Sequence, residues 1–198
     1  MKSCLVLLLL AEAVHGQIAA SDARSERALQ EFREEKYLEA ERDFREIVRT
    51  DSANVFAQFY LGQTLFREEK YADAAVVYER ARAGDGDRKV FSSDQHCILT
   101  DQLVMAYGIS GQLKKSRNLL EEAIKADPEY PLNYYNLACA FAEDGDKSKT
   151  LANLTLAFQR KDHVLQGEHM PDPRSDSSFQ KYLQDQDFLK LMKELGYK

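Results

Sequence analysis

The chain of 198 residues has no tryptophan, four prolines, nine glycines, three cysteines and four histidines. Each scarcity excludes something. Glycine and proline are few and collect between apolar segments, as helices joined by short turns require. Lys and Arg number 27 against 33 Asp and Glu, a formal net charge of −6. Phosphate recognition needs a concentrated basic face, so nucleic acid is not the expected partner. There is no glycine-rich phosphate loop, no G-x-S-x-G and no H-E-x-x-H, so no catalytic constellation is expected. His96, His163 and His169 have no dedicated zinc spacing, and neither a metal site nor a cofactor site is predicted. What is present, 44% hydrophobic and 30% charged residues, is the ordinary composition of one compact unit.

The one wholly apolar run lies at the start. Lys2 supplies a positive charge, Cys4–Leu10 is apolar, and Ala11, Ala13 and Gly16 are small. This is the layout of a secretory signal peptide over residues 1–16, cleaved after Gly16 or, alternatively, after Ala20. The run is too short to span a bilayer as a retained helix. The expectation is an exported protein, periplasmic or secreted, with no membrane span in its mature chain. Removal of the leader leaves Cys97 and Cys139.

Self-similarity dominates the remainder. Phe32-Arg33-Glu34-Glu35-Lys36-Tyr37 recurs residue for residue as Phe66-Arg67-Glu68-Glu69-Lys70-Tyr71, an offset of 34. Ala40 and Phe44 become Ala74 and Tyr78; Leu103, Tyr107, Gly111, Leu120 and Ala123 become Leu137, Phe141, Gly145, Leu154 and Ala157, every pair 34 apart. With Leu61-Gly62, Leu65 and the closing Asp127-Pro128, this resembles the tetratricopeptide repeat. The resemblance implies an all-α solenoid of helix–turn–helix units at 21–54, 55–88, 97–130 and 131–164. Small residues such as Ala28, Gly62 and Ala138 would sit where paired helices approach most closely, with stability coming from stacked neighbours.

Departures from the period are informative. Arg24, Arg27 and Glu31 give the first helix a wet face, suited to a terminal unit. Leu61 to Leu103 is 42 residues; the extra length falls in the Gly/Asp-rich stretch 84–93 and reads as a surface loop, with Ser92 and Gln95 as a capping box opening the next helix. Beyond residue 164, Pro171 and Pro173 mark a linker. Apolar spacing then predicts capping helices over 177–183 and 186–195, stopped by Gly196.

Function is expected in protein–protein interaction. The resemblance implies a concave groove lined by first helices, which would present Phe32 and Arg33 from the first unit. Phe56, Phe59, Gln63, Phe66 and Arg67 would come from the second, Asp101 and Met105 from the third, and Tyr135 and Cys139 from the fourth. An aromatic and apolar trough of this kind fits a peptide segment of another protein. The competing expectation for those side chains is plain packing. An alternative function is a small-ligand or metal-dependent pocket near the 84–96 insertion, around Asp94 and His96. A third has the C-terminal tail occupying the groove. Cys97 and Cys139, at positions 1 and 9 of adjacent first helices, would be offset by roughly 12 Å along the axis, beyond disulfide reach.

Overall fold

A computed structural model describes residues 23–197. The expected leader, residues 1–16, and the first two residues of the expected first repeat lie outside the described residues. All regular structure among the described residues is helical. They divide into two compact units, 23–112 and 113–197.

The first unit contains α1 (Ala23–Arg33), α2 (Tyr37–Thr50), α3 (Val55–Arg67), α4 (Tyr71–Arg88) and α5 (Ser93–Ile109). Side chains cap the starts of α3 and α5, while α2 and α4 begin after Lys36 and Lys70 without a side-chain cap. Asn54 accepts the Ala57 N–H at 2.9 Å to open α3. Ser92 Oγ accepts the Gln95 N–H while Gln95 Oε1 accepts the Ser92 N–H, forming the expected capping box of α5. The small positions are close contacts: Ala28, Ala40 and Ala74 are fully buried. A Cβ on Gly62 would stand 2.5 Å from Cε1 of Tyr78, so the Leu61-Gly62 pair allows the Tyr78 ring to lie on the α3 backbone. The wet face of α1 is also engaged. Arg27 Nε lies 2.5 Å from Oδ2 of buried Asp43, and this bond holds the Asp43 carboxyl below the usual carboxylate range.

The 84–93 stretch is not the surface loop that its Gly/Asp-rich composition predicts. It is chiefly helix, because α4 runs on to Arg88 and Lys89, at φ 52°, ends it. The physical reason is tertiary: a Cβ on Gly84 would meet Val55 Cγ2 at 3.0 Å, so this glycine serves close packing against α3, and the chain turns only at Lys89.

The second unit holds α6 (Leu113–Ala126), α7 (Pro131–Glu143), α8 (Lys147–Gln159), a 3₁₀ turn at Lys161–His163, a second at Ser177–Tyr182, and α9 (Gln186–Glu194). Asp127-Pro128 follows the end of α6, and Pro131 occupies the first position of α7, where its missing N–H is no loss. Asp146, Asp176 and Asp185 cap α8, the second 3₁₀ turn and α9 through their carboxylates. The expected first tail helix is therefore a 3₁₀ turn, while the second forms. It closes on Gly196, at φ 91°, with Tyr197 N–H donating to Met192 O and Gly196 N–H to Lys193 O. Phe179 and Phe188 are fully buried in one cluster with Tyr135, Ala138, Leu154 and Phe158. The tail thus shares the core of α7 and α8. Among the described residues no helix is long and apolar enough to cross a membrane.

Candidate protein-interaction surface

In the first unit α1, α3 and α5 are neighbours in succession, so their faces can form one surface. Phe32 meets Tyr37 edge-on at 5.7 Å and Tyr60 at 5.8 Å; Phe66 meets Tyr71 at 5.0 Å. The six-residue repeat thus builds the same contact twice, a phenylalanine at the end of one helix against the tyrosine opening the next. Both phenylalanines stay half-buried, and Arg33 and Arg67 beside them are exposed. Asp101 and Met105 on α5 are also half-buried, while Gln63 is buried.

Phe59 is covered, and half-buried Phe56 is flanked on one side, by a residue that sequence reasoning missed. Phe91, from the insertion, packs on Phe56 at 5.0 Å and on Phe59 at 5.7 Å. Phe59 also meets Tyr78 at 6.1 Å and is left 8% exposed. The expectation that Phe59 offers an open aromatic face is therefore not met; its ring is interior. Phe91 is held by Asp85. Its backbone N–H donates to Asp85 Oδ1 at 2.7 Å, and His96 Nδ1 lies 2.9 Å from Oδ2. A lone aromatic in a Gly/Asp-rich stretch was the available signal. The same arrangement bears on the alternative pocket near 84–96. His96 is turned to Asp85, Asp94 is exposed, and among the described residues no group of three or more His, Cys, Asp or Glu is placed to hold a metal.

Charged pairs at the helix turns are less uniform than their spelling. Lys70 Nζ bridges Glu41 of α2 at 2.6 Å and Glu68 at 3.2 Å. Burial, with Glu41 alongside, pushes the Glu68 carboxyl up. In the first copy Lys36 reaches only exposed Glu34, at 2.6 Å.

In the second unit Tyr135 and Cys139, one helical turn apart, face the tail. The Tyr135 hydroxyl donates to Asp176 Oδ2 at 3.0 Å, its ring meets Phe179 at 5.7 Å, and Cys139 Sγ donates to the same carboxylate oxygen at 3.8 Å. Tyr135 is 2% exposed. Burial, then the neighbouring Cys139 and Asp176, pushes its phenol far above the ordinary range; burial and Asp176 push the Cys139 thiol up as well. Here too the expected open aromatic face is closed, by a segment of the same chain. Cys97 and Cys139 are both present as half-buried thiols, neither in a disulfide.

Residues 25–88 match the Tetratricopeptide repeat family. Solved structures extend the likeness in fold. A MamA protein superposes with a TM-score of 0.65 at 17% identity, over 87% of this chain and 87% of that one. MamA from Desulfovibrio magneticus RS-1 gives 0.64 at 14% identity, over 87% of this chain and 90% of that one. YrrB, described as a TPR protein with an unusual peptide-binding site, gives 0.61 at 12% identity, over 94% and 90%. The fold is that of the tetratricopeptide-repeat α-solenoids. By sequence, a probable UDP-N-acetylglucosamine–peptide N-acetylglucosaminyltransferase SPINDLY of Hordeum vulgare is 30% identical over 100 residues, half of this chain and 10% of that protein. This chain therefore spans only a small part of that relative.

Proposed function

We propose that this chain is a protein-interaction scaffold of the cell envelope or the extracellular space, binding a peptide segment of another protein on the joined faces of α1, α3 and α5. The observation that carries this reading is the repeated Phe-Arg pair. Phe32-Arg33 and Phe66-Arg67 close successive first helices in the same register, each with a half-exposed ring beside an exposed guanidinium. Half-exposed Phe56 and Met105 add apolar area. Aromatic rings and arginine are the side chains that dominate binding energy at protein interfaces. The solved relative YrrB, whose description names a peptide-binding site, supports the class of partner. Export rests on the charged, apolar and small-residue order of residues 1–16.

Arg67 and Phe56 are the positions to test, since Phe59 and Tyr135 are buried and their truncation would report on folding. Arg67→Ala and Phe56→Ala are each expected to weaken a partner crosslinked to the native protein by about 2 kcal/mol or more, roughly thirtyfold. Arg80→Ala, exposed on α4, serves as the control. Titration of the purified partner decides it. Equal affinities for Arg67→Ala, Phe56→Ala and Arg80→Ala would remove this surface from the function.

A further inference from the structure

The last segment of the chain does not continue the repeat. After Pro171 and Pro173 it runs through the 3₁₀ turn at Ser177–Tyr182 into α9. Its polar ties to α7 and α8 pass through side chains: Asp176 to Tyr135 and Cys139, and Asp185 and Asp187 to Lys147 at 2.9 and 2.8 Å. Phe179, three residues after Asp176, inserts beside the Tyr135 ring and is fully buried. The fit is not complete, because the Tyr182 hydroxyl is buried without a hydrogen-bond partner among the described residues. A buried hydroxyl lacking a partner loses its water for nothing in return. The Asp176 carboxylate, for its part, receives two neutral donors from α7 and, among the described residues, pairs with no cation. Apolar anchoring joined to a buried hydroxyl left unpaired and to a half-buried carboxylate that water can still reach is the balance expected of a segment that docks and releases.

We propose that the C-terminal segment is an internal ligand of α7, with Asp176-Ser177-Ser178-Phe179 as its recognition element. The external partner of this surface is a protein segment carrying a carboxylate three residues before an aromatic ring, admitted only when the tail leaves. Each part of that code has a counterpart on the helix. The carboxylate answers the Tyr135 hydroxyl and the Cys139 thiol; the aromatic ring takes the edge-on seat against Tyr135, at an interplanar angle of 88°. The side chains on α7 lie one turn apart, so a ligand need only present its two groups on one side of a single turn. This inference rests on the reading of the chain as an interaction scaffold and adds a second surface with its own control. It makes the α7 face self-inhibited.

The experiment uses the full chain and a fluorescent synthetic peptide of residues 171–185. Wild type is expected to bind it weakly. Asp176→Ala in the protein, which removes the tail's carboxylate without opening a core cavity, is expected to bind it at least tenfold more tightly. The peptide with Asp176→Asn or Phe179→Ala should lose that gain, and so should the protein carrying Tyr135→Phe in addition. Hydrogen exchange of the wild-type chain supplies a measurement that needs no variant: amides of 177–194 should exchange faster than those of α7 and α8. Equal peptide affinity for wild type and Asp176→Ala would overturn the proposal. So would exchange of the tail only in concert with α7 and α8, the behaviour of a fixed cap, and this second readout decides if Asp176→Ala proves unfolded. Failure here with intact dependence of partner binding on Arg67 sinks the internal ligand alone. The reverse pattern sinks the α1–α3–α5 face alone.

Discussion

Four equivalent residues follow α1, α3, α5 and α7 in left-handed backbone: Glu35 at φ 59°, Glu69 at 62°, Gly111 at 78° and Gly145 at 80°. Each sits in the same double closure. At the second, Glu69 N–H donates to Phe66 O and Lys70 N–H to Leu65 O; at the fourth, Gly145 N–H donates to Ala142 O and Asp146 N–H to Phe141 O. Glycine takes this conformation freely, whereas a side chain meets the following carbonyl and pays about 1–2 kcal/mol. The first two turns therefore carry strain that the last two lack. Glu69→Gly is expected to stabilise the protein by about 0.5–1 kcal/mol, the strain relief exceeding the added chain entropy of glycine. Gly145→Ala should destabilise it by about 1 kcal/mol. Urea unfolding of the two variants checks both signs, and a Glu69→Gly variant less stable than wild type would mean that the Glu69 side chain contributes more than its backbone loses. Gly111 and Gly145 are legible in sequence as turn residues because they are glycine. Glu35 and Glu69 are not, since nothing in a glutamate pair announces a positive φ.

Among the elements, α4 departs furthest from its sequence reading. Gly84-Asp85-Gly86-Asp87 has the composition of a turn, yet the helix passes through it. Gly84 fits against Val55, and Asp85 reaches forward to anchor the Phe91 N–H and His96. Long-range packing overrides local propensity, and a single sequence read by composition has no access to it. Gly86 provides the test, because a Cβ there meets nothing within 4 Å and the residue is exposed. In an exposed helical position Gly→Ala gains about 0.5–1 kcal/mol. Gly86→Ala should therefore stabilise the protein by that amount in urea unfolding, with helix ellipticity unchanged or increased. A neutral or negative result would return 84–88 to a loop. The capping box of α5, by contrast, is spelled locally, by Ser92 and a glutamine three residues on, and forms as read.

For the molecule as a whole, the two stretches outside the 34-residue period do the same thing in their separate units. The insertion lays Phe91 on Phe59, and the tail lays Phe179 on Tyr135, two aromatics related by position within the repeat. Periodicity made the repeated helices and their small-residue contacts legible. It also placed those aromatics on an expected open groove, and could not show what would cover them, because the covering residues belong to no pattern. Closure has a consequence for pH. Burial raises the phenols of Tyr60, Tyr78, Tyr107, Tyr135 and Tyr197 and the thiol of Cys139. In the unfolded chain these groups ionise near their ordinary values, about 8.5 for cysteine and about 10 for tyrosine. The folded protein then holds more protons than the unfolded one, so stability is fully present below about pH 8 and falls as pH rises past those values. Each tyrosine ionised only in the unfolded chain adds about 1.4 kcal/mol per pH unit to that fall. Urea unfolding at pH 8, 9.5 and 11 should show a steepening loss. Tyr135→Phe should lower the stability at pH 8, where its bond to Asp176 is missing, yet flatten the alkaline slope by up to that one-proton amount. An alkaline slope unchanged in Tyr135→Phe would mean that the tyrosine ionises in place, and hence that the tail leaves α7 open to water before the protein unfolds.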